Sequence, residues 1–157
     1  MFNGRKSAAL VVAGLLVTAA SIGSAFAGEC PADKKMANAR EPSTEMATGV
    51  TDNVLAALPL ADEGPMLKDR QMRVRKLVIQ PGGIVPWHSH GDRPALIYVV
   101  EGEVHEYASN CAAPIVHAAG DVARETHVVA HWWKNLSDAP VTLLSFDILH
   151  DQADKAM

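Results

Sequence analysis

Two histidines stand two residues apart in Trp87-His88-Ser89-His90, and a third opens the run His131-Trp132-Trp133-Lys134-Asn135. Successive side chains of an extended strand point to opposite faces, so His88 and His90 share a face and can offer two imidazoles to one ion. Imidazole nitrogen suits divalent zinc, copper, iron or nickel. Histidines also occur on exposed strand faces, so the pair alone does not define a site. His131, with Trp133 and Asn135 on its own face, can supply a third ligand. It can equally be a core histidine hydrogen-bonded to backbone, with Trp133 as packing, and the residues by themselves leave both roles open.

The elements that must position these side chains read as β-structure. From Val54 onward, short apolar or alternating runs are separated by Gly, Pro, Asn and Asp, with no helical periodicity. The expected strands are 54–59, 71–80, 84–90, 95–101, 103–108, 114–117, 121–126, 130–135 and 141–149. Turns fall at Pro81-Gly82-Gly83, at Gly91 to Pro94, at Gly102, at Gly120-Asp121 and at Ser137 to Pro140. Many short strands at close spacing favour a sandwich or a closed barrel. A length of 157 residues suits one domain, and a composition 48% hydrophobic and 20% charged suits a packed core rather than disorder, collagen or coiled coil. No internal repeat is present.

The first segment stands apart from this fold. Arg5 and Lys6 precede an apolar run from Ala8 to Ala20, and Ala25-Phe26-Ala27 gives a small-residue cleavage pattern, so residues 1–27 read as a signal peptide. The run is shorter than the ~20 apolar residues of a spanning helix. The expected organisation is signal peptide 1–27, polar segment 28–53, β-barrel domain 54–150 and tail 151–157, with the mature chain periplasmic or secreted and no membrane association after cleavage. Cleavage removes Arg5 and Lys6 and no acid, so the formal charge moves from -4 to -6. That balance argues against nucleic acid as a partner. An oxidising compartment permits disulfides, and Cys30 and Cys111, the two cysteines present, are expected to pair. The basic cluster Lys68, Arg70, Arg73, Arg75 and Lys76, interleaved with Met72, Val74, Leu77, Val78 and Ile79, reads as a strand with one solvated face.

The stretch from Gly82 to Asn135 resembles the two signature motifs of the cupin superfamily. Gly82, His88, His90 and Gly102 fit the spacing of the first motif, and Gly120, His131 and Asn135 fit the second. The resemblance is to small secreted single-domain cupins of the type-2 kind. It implies a jelly-roll, or double-stranded β-helix, barrel with a divalent metal held inside by His88, His90 and His131. The ion would be iron, manganese, zinc, nickel or copper. It also implies a small-molecule ligand, with Trp133 and Asn135 lining the pocket, and a homodimer as one assembly.

Departures from the motifs bear on function. Ala95 stands where the family has a glutamate ligand, and Thr126 and Val128 replace its Pro and Gly. Three neutral imidazoles leave the charge of a dication uncompensated, which favours an anionic ligand, and they leave coordination positions open. Glu125 and His127, flanking Thr126, are the candidate catalytic groups, as ligand or general base. Asp92 and Arg93 follow His90 in a loop that can border the mouth. His105, His117 and His150 are assigned to surface or packing. The reading is a metal-binding cupin, an oxygenase or related metalloenzyme acting on a small oxygenated molecule. A non-catalytic binding or sensor module and a metal-dependent isomerase or lyase are the alternatives.

Overall fold

A computed structural model describes residues 28–150. The expected signal peptide and the tail 151–157 lie outside the described residues. The described residues form eight strands: β1 Thr48–Pro59, β2 Arg70–Ser89, β3 Ala95–Glu101, β4 Glu103–Ala108, β5 Ile115–Ala118, β6 Val122–Glu125, β7 Ala130–Lys134 and β8 Val141–His150. The fold is an all-β jelly-roll barrel. Strands run in the order β5-β4-β7-β2-β8-β3-β6, with β1 added along β2.

The long strand β2 belongs to both walls of the barrel. Its first half pairs with β1 and β8, and its second half pairs with β7. The expected turn at Pro81-Gly82-Gly83 is therefore a bend inside one strand, which joins the expected strands 71–80 and 84–90. Gly82 takes the left-handed φ of +73°, which glycine adopts without steric cost. A Cβ on Gly83 would stand 2.8 Å from Gln80 O and 2.9 Å from Ile79 Cγ2, so the bend has no room for a larger residue. β1 starts at Thr48, earlier than the expected 54.

The interior is filled by alternate residues of the strands, among them Leu77, Ile79, Val85, Ile97, Val99, Val104, Trp133, Val141 and Leu143. At one end of the wall formed by β2, β8 and β3, the inward positions are charged. Asp147, fully buried, accepts from Arg73 through Nε at 2.9 Å and Nη2 at 2.8 Å. Arg75 Nε lies 3.2 Å from the same carboxylate, and the Arg75 guanidinium pairs with Asp52 of β1. Arg73 and Arg75 thus face inward, against the expectation of a solvated basic face: the buried Asp147 carboxylate lies against both guanidinium groups, and the outward positions fall to Met72, Val74 and Val78.

The segment before β1 lies across the opposite wall. Cys30 and Cys111 form a disulfide with Cα atoms 5.8 Å apart. Ala112 N donates to Lys34 O, Met36 N to Asn110 O and Ala39 N to Ser109 O. Arg40 stacks over the Tyr107 ring. No helix among the described residues is long and apolar enough to cross a membrane.

The disulfide closes a loop with a sequence separation of 81. Loop entropy at that length is worth about 4 kcal/mol in the unfolded chain. Reduction should therefore move the urea unfolding midpoint down by an amount corresponding to a few kcal/mol, read by near-UV circular dichroism with and without reductant. An unchanged midpoint would show that the bridge contributes nothing to stability.

Candidate metal centre

β2 and β7 meet so that His88 lies directly opposite His131 in the register, beyond an irregularity between Val85 and His88. His90 follows the end of β2. The three rings converge: His88 Nε2 is 3.0 Å from His90 Nε2 and 3.2 Å from His131 Nε2. Nitrogens bound at about 2.0–2.1 Å to one ion stand roughly this far apart.

The far side of each ring fixes its tautomer. His88 Nδ1 lies 2.9 Å from Pro86 O and His90 Nδ1 lies 2.8 Å from Arg93 O. A carbonyl oxygen only accepts, so both Nδ1 atoms carry the proton and both Nε2 atoms present lone pairs. Two lone pairs facing each other at 3.0 Å repel unless a cation lies between them. Protonation is not the remedy. Burial, with the neighbouring His131 next, pulls the His88 pKa down to about 3. The same two causes pull His90 down to about 4.

His131 is held from behind. Its Nδ1 donates to Glu106 Oε1 at 2.7 Å and lies 3.2 Å from Glu125 Oε2. Glu106 also accepts from His117 Nε2 through Oε2 at 2.8 Å. Burial works to raise the Glu106 pKa, but the hydrogen bonds from His117 and His131 outweigh it and bring the carboxyl down to about 2. Burial also opposes charge on His131, yet the Glu125 and Glu106 carboxylates hold its pKa above the ordinary value. Burial lifts Glu125 to about 8 against the pull of His131, with the charge on Glu106 adding to the lift. Between them, Glu125 and His131 retain a proton near neutral pH.

The three rings open on a cavity of about 30 Å³ whose other walls include Glu125, Arg75, Ser145, Trp133 and Leu143. That volume holds a water or a ligand of a few atoms. Glu125 Oε1 is buried and has no hydrogen-bond partner. Glu106, Glu125 and His131 form a second group of close donor atoms. Glu106 is there to orient the imidazole: a carboxylate on the outer nitrogen fixes the ring and raises its basicity.

Of the residues singled out in the sequence, His88, His90 and His131 come together, and Glu125 and Trp133 line their cavity. Asn135 does not. Its side-chain amide donates to Ile79 O at 3.0 Å and to Ala139 O at 2.7 Å, tying the turn after β7 to the bend of β2. His127 is exposed, because β6 ends at Glu125 and the alternation that would put both on one face ends with it. Asp92 is drawn outward into pairs with Arg70 and His150. Ala95 is buried and pairs directly with Glu125 across the sheet. Glu106 and His117 were missed as a set. The signal for Glu106 is its place on the same strand face as Val104 and Ala108, an acid where the alternation demands an apolar residue.

The tautomers are open to direct measurement. In the metal-free protein, ring-nitrogen NMR should find Nδ1 protonated and Nε2 bare on both His88 and His90 from neutral pH down to roughly pH 5, since their lowered pKa values keep them uncharged throughout that window. A proton on Nε2 of either ring in that range would refute the facing-lone-pair geometry.

A family model described as a cupin domain matches residues 75–147, from the first half of β2 into β8. No curated protein matches the sequence. Among solved structures, the cupin domain of Schizosaccharomyces pombe Cnp3 superposes with a TM-score of 0.52 at 11% identity, over 71% of this chain and 72% of that one. KdgF from Halomonas sp. superposes with a TM-score of 0.52 at 15% identity, over 76% of this chain and 96% of that one. At such identities the likeness is one of fold. Joined to the matched segment and the barrel, it identifies a cupin domain within this chain.

Proposed function

We propose that the chain is an exported metalloenzyme in which Nε2 of His88, His90 and His131 hold one divalent ion, iron, manganese, zinc, nickel or copper, beside a cavity that takes a small oxygenated, anionic molecule. The observation that carries the reading is the approach of the His88 and His90 Nε2 atoms to 3.0 Å with both Nδ1 atoms committed to carbonyls. The donor set fits such an ion: three neutral imidazoles, two oriented by backbone and one by a carboxylate. A bound ion supplies a Lewis acid with open positions.

The chain's own residues do the rest. Glu106 keeps the His131 ring oriented and offsets part of the ion's charge. Arg75, Trp133 and the apolar wall exclude bulk water and leave room for a compact ligand. Glu125 lines this cavity with one oxygen lacking a hydrogen-bond partner and shares a proton with His131 near neutral pH, which suits a group that gives or takes a proton beside the reacting molecule. That feature favours an enzyme over a module that binds without turnover, which needs the histidines but not Glu125. Oxygenase chemistry requires a redox-active ion; isomerase or lyase chemistry does not.

Elemental analysis should find about one ion per chain, falling close to zero in His88→Ala and in His131→Ala and staying unchanged in His105→Ala. Equal loss in all three would dissolve the assignment. Glu125→Gln should keep the ion, and oxygen uptake or lyase assays on small hydroxy- and keto-acids should then find turnover down by roughly 100-fold or more. Retention of full turnover would remove Glu125 from the chemistry.

Protons compete with the ion at one ring rather than three. His88 and His90 are already neutral, while the raised pKa of His131 means that its proton must leave on binding. Affinity should therefore fall as pH falls below the ordinary imidazole pKa of about 6.5, approaching tenfold per unit. Chelator competition across that range reads the slope; one near three would mean that all three rings are charged.

A further inference from the structure

His117 is fully buried, and one of its two ring nitrogens has no partner. Its Nε2 donates to Glu106 Oε2 at 2.8 Å, and Glu106 Oε1 accepts from Nδ1 of His131. His117 is therefore the outermost ring of a hydrogen-bonded chain that leads back to the candidate metal centre. With the proton of the neutral ring on Nε2, Nδ1 is a bare acceptor. It is buried, and no donor among the described residues bonds to it. An acceptor left so in the interior destabilises the fold by an amount that one donor would recover. The ring cannot turn to find one: it stacks on Trp133 with centroids 4.8 Å apart, and a flip would forfeit Glu106.

Gly28 lies against this nitrogen. A Cβ on Gly28 would stand 2.8 Å from His117 Nδ1, a clash for a carbon but an ordinary hydrogen-bond length for a nitrogen. The backbone nitrogen of Gly28, like that Cβ, is one bond from Cα, so turning the Cα–C bond by about a third of a circle brings the nitrogen to the same place. Glycine has no side chain to oppose the turn. In the uncleaved chain the nitrogen is an amide bonded to residue 27 and cannot swing alone. Hydrolysis of the Ala27–Gly28 peptide bond by water and a signal peptidase, as Ala25-Phe26-Ala27 predicts, leaves a carboxylate on Ala27 and a free α-amine on Gly28. We propose that this α-amine donates to Nδ1 of His117, so that export cleavage completes the hydrogen-bonded chain from Gly28 through His117 and Glu106 to His131.

The next two residues hold Gly28 in place. Glu29 pairs with Arg124, and Cys30 is bonded to Cys111. A cavity of about 270 Å³, bordered by Gly28, Cys30, Glu106 and Arg124 among others, leaves the amine room to turn. Charge favours the contact as well. An α-amine is largely protonated near neutral pH, and Glu106, the carboxylate next in the chain, is held ionised by the two imidazoles that donate to it. His117 is then a positioning residue: the bond to the amine fixes its tautomer, and with it the donor that holds Glu106 behind the His131 ring. The inference rests on the export part of the proposed function and not on the identity of the ion.

Expressed with its own leader in a bacterial host and purified after export, the chain should have the intact mass of a form that begins at Gly28. Acylation of its α-amine by an N-hydroxysuccinimide ester near neutral pH, mapped on the N-terminal peptide, should be at least ~10-fold slower than in a form begun at Ala27, whose amine is displaced from the ring. Ring-nitrogen NMR should find His117 Nδ1 hydrogen-bonded in the Gly28 form and bare in the Ala27 form, with Nε2 protonated in both. The two forms share every residue of the barrel, so a difference between them does not come from lost folding. A mature chain that begins at another residue overturns the inference, and an uncleaved chain overturns the export reading with it. Gly28 as first residue with equal acylation rates in the two forms, or with the same Nδ1 signal in both as a bound water would give, overturns the inference alone.

Discussion

Two backbone carbonyls, Pro86 O and Arg93 O, determine what the centre of this barrel can do. By accepting from Nδ1 of His88 and His90 they choose the tautomer that turns bare Nε2 atoms toward each other at 3.0 Å. In water either ring would rotate or take up a proton to escape that contact. Here burial makes protonation costly, and rotation would forfeit a hydrogen bond in a place where no water replaces it. The repulsion is thus built into the fold, and a cation between the rings would relieve it. The geometry depends on the path of β2: its bend at Gly82-Gly83 carries the second half over to β7, where His88 meets His131. An insertion in that stretch would turn the histidines out of register, since a slip of one residue reverses every side chain.

The wall whose inward positions are charged has its origin in the same strand. Because β2 contributes to both walls, its first half must bring charge to the cavity end while its second half delivers the histidines. Arg73 and Arg75 are tolerated inside because Asp147 faces them from the paired strand and Asp52 from β1. Polar residues cannot fill both sides of a strand that must also pack, so the apolar residues of the alternation go outside. Their exposure is the counterpart of a charged interior.

Much of this was legible in the sequence. A period of two places His88 and His90 on one face wherever the strand lies, and turn residues at the expected places delimit most strands. Two cysteines in a chain with an export-like start leave one pairing, and Cys30 does meet Cys111. The β2 polarity was not legible, because Met72, Val74, Val78 on one face and Leu77, Ile79 with two arginines on the other both carry apolar residues. Alternation separates faces without saying which is inside, and only the position of Asp147, 74 residues from Arg73, decides it. Asn135 fits its motif by spacing, yet the spacing does not reveal that its amide is used on Ile79 O and Ala139 O.

The two buried glutamates show how one pocket separates roles. Glu106 and Glu125 both approach Nδ1 of His131 and both are buried. Glu106 accepts from two imidazoles, so its charge is compensated and its pKa falls to about 2. Glu125 has one oxygen beside His131, the other without a partner, and a charged neighbour in Glu106, so its pKa rises to about 8. Two carboxyls a few ångströms apart cannot both stay ionised in so dry a place, and the one with more donors keeps the charge. The result is a fixed anion behind the His131 ring and a second carboxyl, lining the cavity, whose proton is held more tightly, the separation of roles on which the proposed acid–base chemistry rests. That Glu125 lies directly across the sheet from Ala95 gives the substitution a physical reading: the inward position on β3 is left small, and the neighbouring strand brings a buried carboxyl group to the same part of the barrel.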